Sequence, residues 1–134
     1  MQTFAFAWIA AFVVWMLGSF LVHGVLLAPD YRALGAIYRS EADGAHYFPV
    51  LMIAHVIMSG AFAWIYGRGV QSRPWLGQGI RFGAAVACLG PVGWYLIYYA
   101  VQPLPPGLVV RQILFDAVVV MLAAIAVAYV HRRT

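Results

Sequence analysis

Charge is what this sequence has least of. Only 9% of its 134 residues are charged: there are four acids, and all eight basic residues are Arg. A soluble domain has about 25% charged residues, and a small one has a large surface to cover with polar groups. The shortage therefore excludes a cytosolic enzyme and a disordered tail. The arginines occur singly or in pairs, mostly at the ends of apolar stretches, which argues against nucleic acid as a partner.

Cysteine is nearly absent as well, since Cys88 is the only one. One cysteine cannot form an intramolecular disulfide or a CxxC redox or zinc motif, which excludes a secreted disulfide scaffold. The first apolar stretch has no basic residue ahead of it and no clean cleavage site. We therefore expect a retained helix there and not a signal peptide.

Apolar residues are what the chain does have: they make up 65% of it, and the mean hydropathy is +0.88. A bilayer core of about 30 Å requires about 20 apolar residues in a helix. Four stretches meet this requirement: about 4–28, 48–66, 79–101 and 107–130. The sequence predicts one all-α domain over 1–134, an up-down bundle of four transmembrane helices with the lipid bilayer as its solvent.

The distribution of arginine predicts the orientation of these spans. One side of the predicted bundle has five arginines and the other has three: Arg68, Arg73, Arg81, Arg132 and Arg133 against Arg32, Arg39 and Arg111. Because Arg-rich segments stay inside, both termini are predicted to be cytoplasmic, in a bacterial inner membrane. The connection 29–47 is then predicted to lie outside.

That connection carries an apolar stripe at helical spacing, formed by Tyr31, Leu34, Ile37 and Tyr38. The pattern fits a short amphipathic helix in the membrane interface between the first two spans, with its tyrosines at headgroup depth. An ordered loop without lipid contact is the alternative.

Ionisable residues inside the spans are the main functional signal, because such residues face a bundle interior or a cavity. At about 1.5 Å per residue, four of them, His23, His55, Arg111 and Asp116, fall in the outer half of the bilayer. Together with polar neighbours at the same level they define one candidate ligand-binding site: His23, His55, Tyr95, Arg111, Gln112 and Asp116.

Among these residues, Asp116 has the strongest requirement for a cation or hydrogen-bond donor. A charged Asp at a helix centre raises the free energy of membrane insertion by about 2.5–3.5 kcal/mol. Arg111 lies five residues earlier, about 140° round the helix, so a direct pair within one helix is strained. We therefore expect Asp116 to face the interior and to bond His23, His55 or Tyr95.

Several functions fit this set of residues. His23 and His55 could ligate haem or a metal, or a pocket could bind a small lipophilic ligand, with Arg111 meeting an anionic group. The polar groups could instead only fasten the helices together, as in an accessory subunit of a larger membrane complex. A homo-oligomeric channel and an enzyme that uses His23, His55 and Asp116 on a lipid-like substrate also stay open.

Short motifs carry a resemblance to a known family: Gly18 through His23-Gly24 to Pro29-Asp30-Tyr31-Arg32, a Gly/Pro-interrupted third helix, and Leu114-Phe115-Asp116-Ala117. The chain resembles the small four-helix bacterial membrane proteins classed as a domain of unknown function. The resemblance implies a fold and an inner-membrane location but no activity. This chain differs from that family at His23, where the family more usually has Trp or Tyr.

Overall fold

The computed structural model describes residues 1–132, and every regular element in that range is a helix. The helices are α1 Gln2–Leu26, α2 Ala28–Ala33, α3 Glu41–His46, α4 Phe48–Arg68, α5 Trp75–Val101 and α6 Pro106–Val130. Four of them, α1, α4, α5 and α6, are long and apolar enough to cross a membrane. The predicted all-helical class and its four long apolar helices are confirmed.

Helix boundaries differ from the predicted ones mainly at prolines. The first helix ends at Leu26, two residues earlier than expected, and Pro29 lies in the first turn of α2. Proline is tolerated there because a first-turn N–H has no partner inside the helix. The third long helix begins directly after Pro74, four residues earlier than expected.

The bundle is organised around α6, which packs against both α1 and α5, while α1 also packs against α4. Glycines allow the close approach: a Cβ on Gly79 would lie 2.8 Å from the Ala128 Cβ, and one on Gly18 would lie 2.6 Å from Val119 Cγ1. Between α4 and α5 the contact is aromatic, with the Phe82 ring 4.7 Å from that of Phe62. Small residues therefore set the helix spacing.

Two of the long helices contain π-helical segments. In α1 the segment is Phe20–Leu26, and in α5 it is Cys88–Val92, which contains Pro91. Proline removes a backbone donor and clashes with the carbonyl four residues earlier, so the α-helical ladder cannot continue through it. A π turn uses i→i+5 bonds and shifts all later residues round the helix.

The connection between α1 and α4 holds two short helices, α2 and α3, in place of the single one predicted. Ser40 caps α3 by accepting from the Asp43 N–H, which starts a new helix after the turn. Three residues of the apolar stripe, Tyr31, Leu34 and Tyr38, pack against a cluster that includes Leu27 and Leu108. These three residues therefore face the protein interior, while Ile37 is exposed.

Candidate functional site

The site is built on α6, where Gln112 and Asp116 lie four residues apart and so share one helix face. The Asp116 carboxylate is mostly buried, with 16% of its side chain exposed. Its Oδ2 accepts a hydrogen bond from the Tyr95 hydroxyl at 2.5 Å, and its Oδ1 lies 3.1 Å from His23 Nε2. Helices α1, α5 and α6 are thus joined at one carboxylate. This agrees with the expectation that a buried carboxylate without hydrogen-bond partners would be energetically costly.

The His23 ring is held from both sides. Its Nδ1 lies 2.6 Å from the hydroxyl of Tyr31, and the two rings stack with centroids 5.9 Å apart. Burial raises the pKa of Tyr31 to about 12, so this phenol stays protonated at neutral pH. The two nitrogens of the His23 ring thus contact a protonated phenol on one side and the Asp116 carboxyl group on the other.

Gln112 extends the network to a second tyrosine. Its Nε2 donates to the Tyr31 hydroxyl at 3.2 Å and lies 3.4 Å from that of Tyr38. The residue is 2% exposed, and its Oε1 is buried without a hydrogen-bond partner among residues 1–132. An unsatisfied buried acceptor costs about 1–3 kcal/mol.

A cavity of about 430 Å³ adjoins this network. Four tyrosines, two glutamines, His23 and two aliphatic residues line it: Tyr31, Tyr38, Tyr95, Tyr98, Gln102, Gln112, His23, Ile37 and Leu104. We call it the tyrosine-end cavity. Its size is typical of small-molecule sites, and its lining of apolar surface with a few polar groups is typical too.

His55 lies in a different network. Its Nδ1 donates to the Leu51 carbonyl at 2.9 Å, and its Nε2 lies within hydrogen-bond distance, 3.2 Å, of the Ser19 hydroxyl. Close by, the Trp8 indole N–H donates to the Val56 carbonyl at 3.0 Å. These bonds fasten α1 to α4, and His55 does not line the tyrosine-end cavity.

Arg111 is also outside the cavity. Its guanidinium donates to the Asp30 carboxylate at 2.7 Å and to the Gly107 carbonyl, and its side chain is 46% exposed. The structure thus brings together four of the six predicted residues, His23, Tyr95, Gln112 and Asp116. It places His55 and Arg111 elsewhere.

The two histidines are not arranged as shared ligands of haem or a metal, because each ring has both nitrogens bonded to protein groups of a separate network. Within the described range, no group of three or more His, Cys, Asp or Glu side chains lies together as a metal site would need. The geometry instead suits hydrogen bonding and proton transfer.

Tyr31 and Tyr38 were not among the predicted site residues; the sequence assigned them to an interfacial helix or an ordered loop. Their rings lie 4.6 Å apart and both hydroxyls reach Gln112. The sequence did contain a signal, the helical spacing of these tyrosines with Leu34. Such spacing indicates an apolar helix face but does not distinguish a face buried in the protein from one that faces lipid.

Comparisons of the chain with protein-family models, curated proteins and solved structures found no match.

Proposed function

We propose that the protein is a multi-pass membrane protein whose tyrosine-end cavity binds a small lipophilic molecule carrying a hydroxyl group. The observation that carries this proposal is the lining of the 430 Å³ cavity, which combines tyrosine hydroxyls and the Gln102 and Gln112 amides with apolar wall. A few polar groups on a mostly apolar surface are the usual composition of a pocket for a small molecule. A hydroxyl on the ligand can exchange hydrogen bonds with these groups, while its apolar body lies against the aromatic and aliphatic wall.

The rest of the cavity favours a lipophilic body on this hydroxyl compound. Ile37, Leu104 and the faces of the tyrosine rings supply apolar wall, and the second amide, Gln102, is on the same lining. Both oxygens of the Asp116 carboxyl group are already engaged, one by Tyr95 and one by His23. A neutral ligand with one polar head fits this arrangement better than an ion.

Membrane insertion is supported by the surface of the bundle. Many large apolar side chains are more than half exposed, among them Leu17, Phe20, Ile57, Leu89 and Leu114. Apolar exposure on this scale is foreign to a soluble monomer and is expected where lipid is the solvent. The proposal includes up-down topology and cytoplasmic termini in a bacterial inner membrane, on the arginine distribution given above.

Photolabelling tests the ligand proposal. A long-chain alkanol carrying a diazirine should label cavity-lining residues of the detergent-purified protein saturably, and unlabelled alkanol should compete while the alkane of equal length should not. Gln112→Leu should abolish this preference for the hydroxyl. His55→Gln is the control, because it breaks a bond at the same level without touching the cavity.

Two results would count against a hydroxyl site. Labelling that the alkane displaces as well as the alkanol would indicate a merely apolar crevice. Equal loss of preference in His55→Gln and Gln112→Leu would indicate a general loosening of the bundle.

A second candidate function is proton transfer on a lipid-like substrate. The order hydroxyl, imidazole, carboxylate in Tyr31, His23 and Asp116 favours it, since a carboxylate that orients an imidazole base recurs in hydrolytic enzymes. Incubation with membrane lipid followed by mass spectrometry tests it. Products that form with the protein and are lost in His23→Gln would support an enzyme.

A further inference from the structure

A second cavity, of about 440 Å³, lies where the end of α4 meets the start of α5. Two arginines line it, Arg73 from the connecting loop and Arg81 from α5, together with Ile65 and Phe82. We call it the arginine-corner cavity. It shares no lining residue with the tyrosine-end cavity.

Neither guanidinium of this cavity has a partner in the part of the chain that the structure describes. Within residues 1–132, the side chains of Arg73 and Arg81 make no ion pair, hydrogen bond or ring contact. The neighbouring Arg68 differs, because its guanidinium lies 5.0 Å from the Trp64 ring centroid. Two cations thus line one cavity without an ion pair to any residue of 1–132.

None of the four Asp and Glu side chains is available to these two arginines. All four are engaged at the tyrosine end: Asp30 with Arg111, Glu41 with Arg32, Asp43 with Arg39, and Asp116 with His23 and Tyr95. The arginine-corner cavity therefore has no acidic side chain of its own among residues 1–132 and is open to an anion from outside.

The loop is also fixed in place. The Gln78 side chain accepts from the Gln71 N–H and donates to the carbonyls of Gln71 and Arg73, each at 2.9 Å. Gln78 and Arg81 lie three residues apart on one face of α5. The Arg73 backbone is thus held beside Arg81 before any ligand arrives, which lowers the ordering cost of binding.

We propose that the arginine-corner cavity binds an anionic phosphate group. Guanidinium presents a planar fork of donors that matches phosphate oxygens, and such charge-assisted bonds are the strong ones. Ile65 and Phe82 add apolar wall beside the cations. Basic pockets between membrane helices bind anionic lipid headgroups in this way, and a free phosphate ester offers the same group.

Ligand-dependent stability tests this proposal. The protein in an uncharged detergent is titrated with phosphatidylglycerol, with phosphatidylcholine, whose choline cancels the phosphate charge, and with inorganic phosphate. Because a ligand that binds only the folded state stabilises it, a saturable rise in Tm is expected with an anionic phosphate. A rise with phosphatidylglycerol alone identifies a lipid headgroup, and a rise with inorganic phosphate identifies a soluble source.

Matched charge variants complete the test. Arg73→Gln and Arg81→Gln should each weaken the apparent affinity about tenfold or more, as expected for one charged hydrogen bond. Arg68→Gln removes the same charge at the same end but does not line the cavity, so it should leave the affinity nearly unchanged. Native mass spectrometry of the wild type, counting bound phosphatidylglycerol, gives a readout that does not require the variants to fold.

The proposal is overturned if neither phosphatidylglycerol nor inorganic phosphate raises Tm, or if phosphatidylcholine does so equally. It is also overturned if Arg68→Gln weakens the effect as much as Arg81→Gln, because that result means diffuse surface charge.

Discussion

His23 Nε2 and Asp116 Oδ1 lie 3.1 Å apart although 93 residues separate them in the chain. Asp116→Leu removes the acceptor of both this bond and the Tyr95 bond and leaves two donors unpaired. At about 1–3 kcal/mol for each, we expect a clear fall in Tm in detergent. Asp116→Asn keeps one carbonyl acceptor and should cost less.

Val118→Leu is the control for this pair, because Val118 is on the same helix and exposed. An unchanged or raised Tm in Asp116→Leu, with ligand binding retained, would mean that Asp116 neither fastens the helices nor forms the site.

Tyr31 should give the protein an alkaline limit of stability. Its pKa is raised by burial from the ordinary 10.0 to about 12, so the protonated phenol is favoured in the folded state. The stability it contributes is fully present below pH 10 and is lost as the pH rises through 12. The tyrosinate absorbance of the wild type minus that of Tyr31→Phe should titrate near 12, and a midpoint near 10 would contradict the buried position.

The Ser19–His55 bond and the His23–Asp116 bond should be energetically independent. Ser19→Ala and His55→Gln remove the same bond, so a double-mutant cycle should show a coupling of about 0.5 kcal/mol or more. His55→Gln and His23→Gln share no partner and should add to within about 0.5 kcal/mol. Strong coupling between the two histidines would restore the single shared site expected from the sequence.

Helix spacing at α5 and α6 depends on Gly79. A Cβ there would lie 2.8 Å from the Ala128 Cβ and 3.3 Å from the Ala124 carbonyl oxygen. Gly79→Ala should therefore destabilise by about 1–3 kcal/mol through overpacking. Gly77→Ala, two residues away with no atom within 4 Å of its new Cβ, should be neutral or slightly stabilising. Equal effects of the two on Tm would show that α5 and α6 pack less closely.

Topology can be read by cysteine labelling in a Cys88→Ala background. Cysteines at Ser40 and Ser72 should differ in intact cells: a membrane-impermeant thiol reagent should reach position 40 and not 72. Labelling of 72 alone would invert the proposed orientation.

The four long helices could be predicted from the sequence because the need for about 20 apolar residues leaves few alternatives. The interior partner of Asp116 was predictable for a similar reason, since an unpaired carboxylate in lipid costs too much. Both predictions depend on how apolar and charged side chains are solvated, and this can be read from the residue types alone.

The division of the polar residues into two networks was not predictable in this way. Ser19 and His23 lie four residues apart, the spacing of one α-helical face, yet Ser19 contacts α4 and His23 contacts α6. The π-helical segment that begins at Phe20 lies between them and rotates His23 away. A π-helical segment can be expected from the sequence where a proline interrupts the helix, as in α5. The segment in α1 contains no proline, so neither hydropathy nor residue spacing predicts it.

The placement of acids and arginines has an electrical consequence. All four Asp and Glu side chains lie at the tyrosine end, where three arginines nearly balance them. No Asp or Glu side chain lies near the opposite end, which has Arg68, Arg73, Arg81 and Arg132 among the described residues. The folded chain is therefore a permanent dipole along the bundle. A negative-inside potential favours each positive charge on the inner face by about 2.3 kcal/mol per 100 mV. In the proposed orientation, the membrane potential therefore stabilises the protein with its arginine-rich end on the inner face. The inverted orientation would be disfavoured by the same potential.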